Sequence, residues 1–246
     1  MPDRAEVVDV CVREHTPRFD PALTAGLDEP VQRYFKHAIA NGAVLATRVR
    51  LTMRGRIKVG RWMEFTAEQQ FADEHEFEWR ATAGWRRFKP LHVVDNYADR
   101  AGGTVGKLFG RVPFLHAVDA NTARAAAARA AAESVWVPAS LLPQRGVEWQ
   151  AEDLHTIVAR FEVPPEHPEV RLRIDEVGAV QSVGLPRWGN VGREGFGYIP
   201  FGADILAERR FGDYTIPSRM AVGWWYGTPR FEPFFEAIVT SHQLEP

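Results

Sequence analysis

The chain has 246 residues, a formal net charge of −2, 25% charged and 45% hydrophobic residues, which are the values of an ordinary globular protein. Without a basic surplus it is not built for general nucleic-acid binding, and none of its apolar runs reaches the ~20 residues needed to span a bilayer. Its single cysteine, Cys11, excludes an internal disulfide and fits a reducing compartment, so a cytoplasmic location is expected.

Residues 1–27 read as an extended lead-in. Charges interrupt the apolar residues there, so they lack the unbroken stretch of a signal peptide. Residues 28–246 read as one domain. Its first element is a helix at about residues 28–41, with Asp28 placed to cap it and Pro30 in its first turn. Val31, Tyr34, Phe35, Ala38 and Ile39 share one face of that helix.

Three alternating segments follow. Val49, Leu51, Met53, Ile57 and Val59 form an apolar row opposite a basic row that runs from Arg48 to Lys58. The neighbouring segments carry acidic rows, Glu64, Glu68, Glu76 and Glu78. Cross-strand opposite charges stabilise each other by roughly 0.2–1 kcal/mol per pair. A self-neutralised solvent face therefore explains the basic row better than a polyanion site does. Further strands are expected near Leu91–Tyr97 and Gly103–Phe109.

A helical insertion at about residues 119–143 then breaks the pattern. Asn121–Ala132 is alanine-rich, with Arg124 and Arg129 as its long side chains. Alanine is the best helix former, and its small side chain lets a helix lie close against a sheet. After Gly146 alternation returns, through Val170–Ile174 and Val180–Pro186. A hairpin is expected from Ile205–Phe211 and Tyr214–Tyr226 across Gly212-Asp213, with a last strand at Glu236–Gln243.

This order predicts an α+β fold: one strongly curved antiparallel sheet of about ten strands, a half-barrel wrapped around the N-terminal helix and the alanine-rich helix. Two outcomes stand for the concave face. The helices fill it, or a cavity remains that suits a hydrophobic ligand.

The segments LPRWGN, FGYIPFG, ERRFGDYTIPSR and GWWYGT, with ESVWVPASLLP and VQRYFKHAIANG upstream, resemble an uncharacterised bacterial family of unknown function from about Leu27 onward. The order of strands and helices also resembles periplasmic lipoprotein carriers and mycobacterial lipoprotein lipid-binders. That resemblance implies a cup that takes acyl chains. Fold likeness alone does not transfer function.

Candidate site residues come from the same rows. Arg129 and Glu133 are four apart and share a helix face. Turned toward the sheet they form a buried polar pair; at the helix edge they form a salt bridge. Asp95 shares a face with Leu91 and Val93 and is expected to point inward. Arg209 falls in the row of Ile205, Ala207 and Phe211, where an arginine needs an anionic partner or a route to water. Glu208 and Arg219 are expected to pair on the opposite face. Trp188 and Asn190, and then Tyr198, are placed in rim loops that could carry binding groups. Trp224 and Tyr226 are expected on one inward face.

The leading function is binding of a hydrophobic or amphipathic small molecule, lipid- or polyketide-like, with Arg209, Arg129, Trp188, Asn190, Trp224 and Tyr226 as contacts. The alternative is a cofactor-independent lyase, isomerase, cyclase or hydrolase using Glu133, Asp95 and Tyr198. The third reading is a structural or interaction protein with a filled core. No metal site is expected, because the eight histidines lack ligand spacing, and no cofactor motif is present.

Overall fold

A computed structural model of the chain describes residues 16–72, 75–192 and 195–245. Cys11 and the first part of the expected lead-in lie outside the described residues. The rest of that lead-in is tied to the core. Phe19 is buried, its backbone exchanges hydrogen bonds with Gly42 and Ala43, and Pro21–Thr24 forms a 3-10 turn.

Helix α1 (Glu29–Ala38) buries Val31, Tyr34, Phe35 and Ala38, the face that the spacing predicts. Tyr34 and Phe35 pack on Trp149, with ring centroids 5.8 and 5.5 Å away. Asp28 occupies the N-cap position, but its carboxylate accepts the Ala151 N–H on a neighbouring strand instead of capping the helix.

Six strands precede the insertion: β1 (Val49–Val59), β2 (Arg61–Phe71), β3 (Phe77–Trp85), β4 (Phe88–Ala98), β5 (Ala101–Leu108) and β6 (Val112–Ala117). Helix α2 (Ala120–Glu133) and three 3-10 turns between Ser134 and Arg145 form the insertion. The return half comprises β7 (Glu148–Ala151), β8 (Thr156–Arg160), β9 (Glu169–Ile174), β10 (Val180–Gly189), β11 (Gly197–Phe211), β12 (Tyr214–Trp224) and β13 (Glu232–Leu244).

The thirteen strands among the described residues form one antiparallel sheet that is not closed, in the order β6-β5-β4-β3-β2-β1-β13-β12-β11-β10-β9-β8-β7. The fold class is the one expected, with more strands than the expected ten. β6 is exposed almost throughout and β7 has four residues, so neither carries an alternation that sequence could reveal. Each half is a meander, and the first and last strands pair at the centre.

The sheet must curve strongly. Eight inter-strand steps separate β5 from β10, about 38 Å if flat, whereas a helix with its side chains is about 10–12 Å across. Yet α2 touches both strands: Ala126 lies against Gly102 on β5, and the Ala125 carbonyl accepts from Arg187 Nε on β10 at 3.1 Å. The alanine-rich composition permits this, because Ala126, Ala127, Ala130 and Ala131 are buried on a helix wrapped by sheet.

The basic row of β1 is neutralised in part, and of the acids expected to do so only Glu68 takes part; the other partners are on β13 or just beyond it. Arg50 pairs with Glu68 and Glu245 at 3.3 and 2.7 Å, Arg56 with Glu236 at 2.5 Å, and Lys58 with Glu232.

Candidate functional site

Between α2 and the concave face lies an open cavity of about 400 Å³. Its sheet walls are Ile57, Trp79, Val93, Leu185, Phe201, Met220, Val222, Trp224 and Phe235, and Ala132, Val135 and Trp136 close it from the helical side. Inward positions alternate along each strand, which is why one face of β10 supplies Val183, Leu185 and Arg187 in succession.

The polar lining is concentrated on four charged side chains. Arg129 donates from Nε to Glu133 at 2.7 Å and from Nη1 to Asp95 at 2.5 Å. Glu133 also accepts from Gln69 Nε2 at 2.6 Å, and Asp95 accepts from Thr104 at 2.9 Å. The guanidinium of Arg129 stands over Phe77 and Trp79, 4.7 and 5.4 Å from their centroids. The pair Arg129–Glu133 thus turns toward the sheet, and Asp95 joins it. Burial alone would lower the pKa of Arg129, but Glu133 and Asp95 outweigh it and hold the group above the ordinary arginine value.

Arg187 is different. Its Nε donates to the Ala125 carbonyl, and its guanidinium lies 4.5 Å from the Phe201 ring centre and 5.3 Å from that of Trp224. Among the described residues no carboxylate forms an ion pair with it. Burial and then the nearby Arg129 push its pKa down to about 10. Asp95 and Glu133 act on Arg187 through space, but their direct contacts go to Arg129. A cation without a carboxylate in direct contact, set beside an apolar wall, suits an anion.

Sequence reasoning passed over Arg187, although the signal was present. Val183, Leu185 and Arg187 place an arginine in an apolar row, the argument applied to Arg209. The strand was expected to stop at Pro186, and it runs to Gly189.

Arg209 does not reach the cavity. It is exposed, and its guanidinium lies 4.9 Å from the ring centre of Phe211. Register shifts between Ile205 and Ala207 and between Ala207 and Glu208 interrupt the β11–β12 ladder. A period-two count carried across a bulge assigns faces wrongly beyond it. Glu208, expected to pair with Arg219, instead accepts the Val180 N–H at 2.9 Å and meets His37 Nε2 at 2.6 Å.

The rim loops are also partly strand. Trp188 on β10 and Tyr198 on β11 are cross-strand partners with ring centroids 5.2 Å apart. Arg124 lies 3.5 Å above the Trp188 ring and donates to the Tyr198 hydroxyl at 2.7 Å, and that hydroxyl donates to Glu166 at 2.7 Å. This cluster sits beside the start of α2, outside the cavity lining, and Asn190 is exposed in the loop beyond it. Trp224 lines the cavity but Tyr226 does not. Positive φ at Trp225 ends the alternation, and Tyr226 covers the outward faces of Gly184 and Gly202, its hydroxyl donating to Asp204 at 2.7 Å. The structure therefore brings Glu133, Asp95, Arg129 and Trp224 together, and leaves Tyr198, Trp188, Asn190, Tyr226 and Arg209 outside.

Among the described residues no cluster of His, Cys, Asp or Glu could hold a metal ion, and no helix is long and apolar enough to cross a membrane.

The chain belongs to a family of unknown function, DUF6544, whose model matches residues 17–237. Among curated proteins none matches it. Two solved structures are similar in backbone course. One is a DUF1329 family protein from Desulfovibrio piger, at 7% identity and a TM-score of 0.47, covering 81% of this chain and 86% of that one. The other is a putative outer membrane lipoprotein-sorting protein domain from Vibrio parahaemolyticus, at 8% identity and a TM-score of 0.45, covering 80% of this chain and 85% of that one.

Proposed function

We propose that this protein binds an amphipathic small molecule whose hydrocarbon body fills the cavity and whose anionic head group meets Arg187. The observation that carries this reading is the Arg187 guanidinium, which lines the cavity beside Phe201 and Trp224 and, among the described residues, has no carboxylate in ion-pair contact. The volume of about 400 Å³ lies within the range of small-molecule sites. Phe201 and Trp224 flank the guanidinium and fix its position, so little ordering is needed on binding.

The enzymatic reading is less well supported. Both carboxylates in the cavity, Asp95 and Glu133, are engaged by Arg129, so neither stands free to meet a substrate. Tyr198, the third candidate, is engaged by Arg124 and Glu166 outside the cavity.

Native mass spectrometry of gently purified protein, followed by calorimetric titration with a long-chain fatty acid and with the matching fatty alcohol, tests the proposal. The acid is expected to bind and the alcohol to bind at least tenfold more weakly, a difference of about 1.4 kcal/mol. Arg187→Gln should remove the difference. Equal binding of both, or no binding by a folded protein, would overturn the assignment.

A further inference from the structure

Three neighbouring hairpins place their turns at one end of the sheet. The β1–β2 turn is at Gly60, the β3–β4 turn at Arg86-Arg87, and the β5–β6 turn at Phe109-Gly110-Arg111. Successive turns are two strands apart, so the row spans about 20 Å. The segments 58–62, 84–89 and 107–111 contain seven lysines and arginines and no aspartate or glutamate: Lys58, Arg61, Arg86, Arg87, Lys89, Lys107 and Arg111.

 Among the described residues only Lys58 of the seven has a carboxylate partner, Glu232. This contrasts with the rest of β1, where Arg50 and Arg56 are paired.

Large apolar side chains stand among these cations. Phe109 is 62% exposed and Phe88 58%, with their rings 5.9 Å apart. Val59, Val112 and Phe114 are exposed as well, and Arg61 lies 4.6 Å over the ring of Trp85. Phe109 is held at a φ of 52°, an uncommon conformation for a bulky residue, and this places the ring at the tip of its turn. β6 is an edge strand with one free side, and an exposed apolar edge calls for a cover.

We infer that this end of the sheet docks on the surface of an anionic lipid bilayer, with the basic turns on the head groups and Phe88, Phe109 and Phe114 in the interfacial layer. Acid-free cationic turns match a surface of negative charge, and aromatic rings are favoured at the head-group level. Ile57, Trp224 and Phe234 bring the cavity lining to this same end of the sheet.

Flotation with vesicles of phosphatidylcholine, with and without phosphatidylserine, tests it. The protein should float with the mixed vesicles, not with phosphatidylcholine alone, and should be released by salt. Arg86→Gln with Arg87→Gln should weaken binding by roughly thirtyfold. Phe109→Asn should also weaken it while easing the backbone, since asparagine tolerates positive φ. The control, Arg50→Gln with Arg56→Gln, removes the same charge from a paired face and should bind far more like the parent protein. Equal flotation with both vesicle types, no effect of the turn variants, or a solution dimer that protects the β6 amides from exchange would overturn the inference. The last result would assign the patch to a second copy of the chain.

Discussion

Gly102 lies so close beneath α2 that a β-carbon on it would stand 2.7 Å from the Ala126 β-carbon. Backbone of the same helix blocks the other directions, with Ala123 Cα at 2.8 Å and the Thr122 carbonyl at 2.9 Å. The approach of β5 to α2, and with it the helical wall of the cavity, requires glycine here. Gly102→Ala is expected to destabilise the protein by about 1–3 kcal/mol through overpacking. Chemical denaturation checks this, and an unchanged midpoint would mean that α2 can move off the sheet without cost.

The two cavity arginines should respond in opposite ways to loss of charge. Arg129→Met leaves Asp95 and Glu133 in the cavity wall without their cation and should cost about 3–5 kcal/mol. Among the described residues Arg187 has no carboxylate in direct contact to strand, and burial already disfavours its charge. Arg187→Met should therefore leave stability unchanged or raise it by about 1–2 kcal/mol, while removing retention of an anionic ligand. Melting curves of the two ligand-free variants, measured side by side, check the contrast.

Two histidines give stability opposite slopes with pH. Burial lowers the His75 pKa to about 4, so between about pH 6.5 and 4 the unfolded chain takes a proton that the folded chain refuses. Stability should fall as pH drops through that window. His37 is raised by its hydrogen bond to Glu208, against the opposing effect of burial. Its contribution is complete below about pH 6.5 and is lost as pH rises through its elevated value. His75→Gln should flatten the acid limb and His37→Gln the limb above pH 6.5. Denaturation midpoints across pH 4–9, in about half-unit steps, would show both.

How much of this was legible in sequence depends on where alternation holds. The β1 row, Val49 to Met53 inward with Arg50 outward, reads directly because its pairing with β2 has no bulge. The α2 helix reads from alanine content, and Asp95, Arg129 and Glu133 from period and spacing. β11 does not read. Its outer half, Gly197 to Asp204, is rich in glycine and proline and was expected as loop, while its inner half is broken by two register shifts. Bulges arise from pairing between distant strands, so no local pattern announces them. The two shifts turn Arg209 out of its expected row, whereas Arg187 is hidden by Pro186, which reads as the end of a strand that continues to Gly189.

The same bulges yield a final prediction that separates Arg209 from Glu208. Arg209 is exposed, with its guanidinium over the Phe211 ring, so Arg209→Met should change stability by less than about 0.5 kcal/mol. Glu208 joins three elements. Its carboxylate accepts the Val180 N–H on β10, meets His37 on α1, and is carried by β11. Glu208→Leu removes the acceptor of a partly buried backbone donor and the partner of His37, and should cost about 1–3 kcal/mol. It should also bring the His37 pKa down, because the hydrogen bond that raises it is gone. An NMR titration of His37 in the variant reads this directly. If His37 titrates as in the parent protein, the α1 contact with β11 is not held by Glu208, and the face assignment drawn from the two register shifts fails with it.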